Sequence, residues 1–242
     1  MIFLAYSDLL RVSVTLFIAF FGSVIGALLV GITFHEFSHC LTAYLLGDPT
    51  ARNMGRLTLN PKAHLDPMGA LLLLMVGFGW GKPAPVNPYR LRIGPKAGMT
   101  VVAAAGPLSN LVIAALAGFP IHAGMLPWHT PFVVYSSAMH WTNADYLGLF
   151  LSSTVIFNII LALFNLIPLA PLDGFRIAVG ILPQDLSEAV AGLEQYGMAI
   201  LLLVVFMLPW MTGGHYGIFQ TLSPVIDRLT TAFTGMHGGV FG

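Results

Sequence analysis

The sequence predicts an all-helical, multi-pass membrane protein, and three observations carry that prediction. Of 242 residues 57% are hydrophobic and only 8% charged, a balance that a water-soluble domain of this size does not need. Apolar runs near or above the roughly 20 residues that cross a bilayer recur along the chain. Positive charge is concentrated, with seven of the ten Lys and Arg residues lying between Arg52 and Lys96.

The first run extends from Val12 to Leu46, and Gly47-Asp48-Pro49 stops it. No small-residue cleavage pattern ends the run, so it reads as a retained spanning helix rather than a signal peptide. Thr50 to Pro67 is polar and basic. Gly69 to Trp80 is apolar but only about a dozen residues long, which favours an element that dips into the bilayer and returns. Lys82-Pro83-Ala84-Pro85-Val86-Asn87-Pro88 reads as extended, since each proline pushes its predecessor out of helical geometry. Gly98 to about Gly118 is a second span. The connection from Phe119 to about Tyr146 has no Lys or Arg but carries Trp128 and Trp141, side chains suited to a membrane interface. Leu147 to Leu169 is a third span and Met198 to Met211 a fourth apolar run, with the more polar Gln184 to Glu194 expected along the surface. The tail after Met211 has no clear assignment.

Basic residues mark the cytoplasmic side. Both basic stretches therefore lie inside, the short segment between them enters and leaves on one side, and the first span runs from outside to inside. The expected organisation is a single integral-membrane domain over residues 1–242, with a core at about 12–180, an additional C-terminal helix at about 197–211 and no soluble domain. Ten acidic residues balance the ten basic ones and no basic stripe is present, which excludes a nucleic-acid partner. One cysteine, Cys40, excludes an internal disulfide.

The chemistry lies in Phe34-His35-Glu36-Phe37-Ser38-His39. On a helix His35 and His39 are one turn apart and share a face, so both imidazoles can grip one metal ion. Glu36, rotated by about 100°, stays free to handle a proton. Only Glu36 and Asp173 among the acidic residues fall in or at the edge of an expected span, and both map toward the cytoplasmic end. A catalytic zinc takes three protein ligands and keeps a position open for water. His35, His39 and Asp173 supply the three, and Glu36 is the base. Ionisable groups within a span are costly, which favours a functional site over a chance motif. An ion transporter would string its ligands across the bilayer, whereas these share one level. A structural zinc site would be closed by a fourth protein ligand. Asn110 and Asn165 are polar groups within apolar helices; each suits either substrate or oxyanion binding or interhelical hydrogen bonding. His64 sits in a basic loop, and His122, His129, His140, His215 and His237 are scattered outside these motifs.

These residues resemble a known family. His35-Glu36-Phe37-Ser38-His39 together with Asn165-Leu166-Ile167-Pro168-Leu169-Ala170-Pro171-Leu172-Asp173-Gly174 look like the paired signatures of the site-2 proteases, the zinc intramembrane metalloproteases of peptidase family M50. Ala105-Gly106-Pro107-Leu108-Ser109-Asn110 is similar to the family's central-helix motif, and Gly79-Trp80-Gly81-Lys82-Pro83-Ala84-Pro85-Val86-Asn87 to its extended loop. The resemblance covers roughly residues 20–180. It implies a three-helix catalytic core, one Zn2+ on His35, His39 and Asp173 with Glu36 as base, and cleavage of a transmembrane protein substrate in the lipid bilayer near the cytoplasmic face. It also implies a membrane-associated β-hairpin in the extended loop, able to pair with an unwound substrate strand. Many members have a second glycine after the Asp-Gly pair, where this chain has Phe175.

Overall fold

The computed structural model describes residues 7, 9–76, 79–133, 138, 140–213 and 217–236. Most of these are helical, and strand pairing among them is limited to one isolated antiparallel bridge. Four helical stretches are long and apolar enough to cross a membrane: Val14–Leu45, Pro95–His122, Asn143–Asn165 and Gln184–Met211. The first three overlap the expected runs, and the fourth contains the expected run at 198–211 together with the more polar residues that precede it.

Helix α1, Val14–Leu45, starts where the Ser13 hydroxyl accepts a hydrogen bond from the Leu16 N–H. With 32 residues it is about 48 Å long at 1.5 Å per residue, more than the hydrocarbon layer requires. Helix α2, Pro67–Val76, has 10 residues and reaches only about 15 Å. The chain then comes back beside its own start: Gly81 pairs with Leu65, and the Lys82 N–H donates to the His64 carbonyl at 2.7 Å. A Cβ on Gly69 would lie 2.0 Å from the Trp80 carbonyl oxygen, so the outgoing and returning arms touch. The ladder does not extend into Lys82–Asn87, where Pro83 and Pro85 have no N–H to donate. No hairpin of the expected kind forms among the described residues.

Helix α3, Pro95–His122, begins with proline at its first position, where a missing N–H costs nothing. Helix α4, Asn143–Asn165, is opened by a capping box in which Thr142 and Asp145 bind each other's backbone. Asp145, expected in the outer connection, is thus in the first turn of this span. Helices α1, α3 and α4 pack on one another in all three pairings and form the core. Small residues allow the close approach that holds membrane helices together: a Cβ on Gly31 of α1 would lie 2.7 Å from a Leu161 methyl of α4.

A turn with a cis Ala170–Pro171 peptide leads into the short helix α5, Asp173–Ile181, which packs against α3. Helix α6, Gln184–Ala191, is largely exposed, in line with the expected surface segment. Helix α7, Gly197–Leu202, continues through a π-helical stretch, Leu203–Met207, into Leu208–Met211. Within it only Gly197 and Leu201 are buried. The tail forms helix α8, Ile218–Thr234, which buries Ile226, Thr230 and Thr234 against α3 and α4.

Candidate metal centre and active site

The motif residues lie two-thirds of the way along α1, at the level where the first half of α3 and the turn after α4 meet it. His35 and His39 are buried, their rings edge to face with centroids 4.6 Å apart. Asp173, at the first position of α5, projects between them: its Oδ2 is 3.0 Å from His35 Nε2 and 3.3 Å from His39 Nε2. Ligand atoms of the three residues lie within 4.8 Å of one another, and the described residues contain one such group.

The far side of each ring is held. His39 Nδ1 lies 2.7 Å from the Val102 carbonyl, which can only accept, so the ring proton sits on Nδ1. His35 Nδ1 lies 2.7 Å from Asn110 Oδ1, and Asn110 Nδ2 in turn donates to the Gly31 carbonyl at 3.1 Å and to Asn158 Oδ1 at 2.8 Å. With both protons on Nδ1, both Nε2 lone pairs face Asp173. The Asp173 Oδ2 atom is buried and receives no hydrogen bond among the described residues. Three electron-rich atoms converge with no proton between them, an arrangement that a cation resolves and that matches the two-imidazole, one-carboxylate set of catalytic zinc. The donor set fits the metal.

The backbone around the site leaves no slack. A Cβ on Gly106 would lie 2.5 Å from both Cε1 and Nε2 of His39 and 2.6 Å from Cε1 of His35. Only glycine lets α3 pass beneath the two rings. Gly174 meets the same limit, since a Cβ there would lie 2.3 Å from the Leu166 carbonyl oxygen and 2.4 Å from that of Ile167. Asp173 is thereby seated on the end of α4, with Phe175 buried behind it.

Glu36 points elsewhere. Its Oε2 is buried with no hydrogen-bond partner among the described residues, and its carboxyl opens on a cavity of about 130 Å³ shared with His35, Ile32, Leu73, Gly81 and Asn165. That is room for several water molecules. Asn165 lines this cavity while its Nδ2 donates to the Leu161 carbonyl of its own helix at 2.9 Å. Asn110 stands apart from it, fully buried behind His35 with both ends of its amide engaged. His64 is also fully buried, and its Nε2 donates to the Thr58 carbonyl at 2.7 Å. His215 and His237 lie outside the described residues.

Two groups matter that sequence reasoning missed. Asn158 lies in an apolar run, and nothing local signals that its partner is Asn110. Asp48 was read as part of a helix stop, yet its Oδ1 accepts from the Thr50 hydroxyl at 2.5 Å and the Thr50 N–H at 3.1 Å, and its Oδ2 from the Asn87 N–H at 2.7 Å. It clamps the extended segment to the end of α1. Burial works against the charge, but these donors and nearby Arg90 outweigh it and hold the carboxyl below its ordinary range.

The chain is 37% identical over 211 residues to "Putative zinc metalloprotease YwhC" of Bacillus subtilis, an alignment covering 86% of this chain and 90% of that protein. The sequence profile of peptidase family M50 matches residues 129–207. The chain belongs to peptidase family M50. A Mycobacterium tuberculosis relative, Rip2, also named as a zinc metalloprotease, is 30% identical over 218 residues, 88% of this chain and 78% of the relative. The Mycolicibacterium smegmatis protein of the same name is 29% identical over 192 residues, 78% and 68% of the two chains. No solved structure matches. Family M50 proteases use zinc, and the spans of this chain suit an integral membrane member of the family.

Proposed function

We propose that this M50 protease hydrolyses peptide bonds within or beside transmembrane segments of membrane-protein substrates, near the cytoplasmic face. One observation carries the proposal: His35, His39 and Asp173 turn three electron-rich atoms toward one point while Glu36, one residue along α1, keeps its carboxyl for the adjoining cavity. The side of the membrane follows from the basic residues flanking α2. Ligands at a single level favour catalysis over ion transport.

His35, His39 and Asp173 hold the metal in this reading. When bound there, zinc acidifies a water molecule toward neutrality and polarises a carbonyl. Glu36 accepts the water's proton as the carbonyl is attacked and delivers it to the departing amine, the work of a general base turned general acid. The cavity beside Glu36 keeps that water within protein, since irregular or hydrated elements at membrane depth must be screened from lipid. Asn165, on the cavity wall, is placed to meet the substrate backbone. A helical substrate has its carbonyls hydrogen-bonded and must be opened first, so substrate enters extended, beside the Gly79–Asn87 segment.

The test is Glu36→Gln in the purified full chain, reconstituted with a single-span substrate. Expected is zinc content equal to wild type with cleavage reduced by about 100-fold or more. Cleavage at the wild-type rate would remove Glu36 from the mechanism.

A further inference from the structure

Two buried amides, two backbone carbonyls and the His35 ring form a chain with a fixed direction in the helical core. Asn110 on α3 and Asn158 on α4 are both fully buried. Asn158 Nδ2 donates to the Thr154 carbonyl at 2.9 Å, and its Oδ1 accepts from Asn110 Nδ2 at 2.8 Å. Asn110 Nδ2 uses its other hydrogen on the Gly31 carbonyl at 3.1 Å, and its Oδ1 faces His35 Nδ1 at 2.7 Å. Both carbonyls can only accept, so neither amide can turn over without bringing oxygen against oxygen. The final link must then be a proton on His35 Nδ1, which leaves Nε2 bare.

We infer that Asn158, on a helix that supplies no metal ligand, is a positioning residue of the metal centre, acting with Asn110 as a one-way amide relay that sets the tautomer and orientation of His35. The inference rests on the ligand set proposed above. Buried side-chain amides cross-link membrane helices in any case, but a cross-link alone has no preferred direction. A relay ending on an imidazole does, because the reversed amide would present its NH2 to Nδ1 and drive the ring proton onto the atom that must bind metal.

The experiment measures zinc affinity of the purified full chain in detergent by competition with a chelator of known strength, using zinc alone as probe. Removing the partner of a ligating histidine costs about 10- to 100-fold in affinity, the loss expected for Asn110→Leu. Asn110→Asp retains zinc, because one carboxyl oxygen accepts from His35 Nδ1 while the other, protonated in this fully buried site, donates to the Gly31 carbonyl as the amide did. Asn158→Leu weakens zinc about tenfold, at the low end of that range, because the Gly31 carbonyl alone is then left to hold the Asn110 amide in its working direction; if it does not elute as folded protein, Asn158→Ala takes its place. The deciding variant is Asn158→Leu with Asn110→Asp. The relay predicts the affinity of Asn110→Asp alone, since no NH2 remains to misalign. A packing role predicts a loss at least as large as Asn158→Leu gives alone. That loss, or wild-type affinity in both Asn158→Leu and Asn158→Ala, overturns the relay. His35→Ala separates the two levels: full zinc affinity there strikes the ligand set itself, whereas its loss beside an unaffected Asn158 variant strikes only the relay.

Discussion

Gly106→Ala adds one methyl group to a residue with no side chain of its own, and the geometry predicts that it disables the metal centre. The new Cβ would lie 2.5 Å from His39 Nε2 and 2.6 Å from His35 Cε1, whereas carbon contacts settle at about 3.5–4.0 Å. Relief requires the rings to retreat by about 1 Å, and metal–ligand distances tolerate only about 0.2 Å. Neither ring has a free path, since Val102 and Asn110 hold their far sides. Overpacking of this kind costs about 1–3 kcal/mol, which corresponds to about a 5- to 150-fold loss of zinc affinity at 1.4 kcal/mol per factor of ten. Chelator competition on the purified variant measures that loss directly, and cleavage of a reconstituted single-span substrate should fall in parallel and recover in part with excess zinc. A variant that elutes as folded protein and binds zinc within a factor of two of wild type would refute the placement of both rings.

Three further outcomes follow. Gly174→Ala meets backbone oxygens rather than mobile rings, so it should lower zinc content more than Gly106→Ala and recover less with excess zinc, read by metal analysis of both proteins. Asp48 is stabilising while ionised: its folded value is depressed below 3.8, so its contribution is complete above about pH 4 and is lost as pH falls through the folded value. Acid titration of thermal stability should therefore show a loss below pH 4 that is smaller in Asp48→Asn, and equal losses in both proteins would contradict the clamp. Asp145→Ala removes the capping box of α4 together with the 2.9 Å contact to His129 Nε2; thermal unfolding should begin at a lower temperature than in wild type, with zinc affinity by chelator competition unchanged.

The spans were legible because composition and run length are local properties, and Val14–Leu45, Pro95–His122 and Asn143–Asn165 fall where the apolar runs place them. His35 and His39 were legible for the same reason, since a four-residue spacing fixes a shared helix face. Asp173 was reached by a different route: a carboxylate at the same expected level, 134 residues after His39. What stayed hidden depends on contacts between distant residues. Nothing near Asn158 indicates that it meets Asn110, and nothing near Asp48 indicates Asn87. The glycine at 106 was visible as part of a motif in the second span, but not as the floor beneath two imidazoles. Helix α8 carried its own signal, with Ile218, Leu222, Val225, Ile226, Leu229 and Phe233 at helical spacing. The glycines and threonines of the tail left it without an assignment from sequence.

The central claim is that two imidazoles and Asp173 bind zinc while the neighbouring glutamate does not. Zinc stoichiometry of the purified chain, measured side by side for wild type, Glu36→Gln, His39→Ala and Asp173→Ala, tests it most directly. One zinc per chain is predicted in the first two proteins and little or none in the others. Zinc retained after loss of Asp173, or lost with Glu36→Gln, would contradict it.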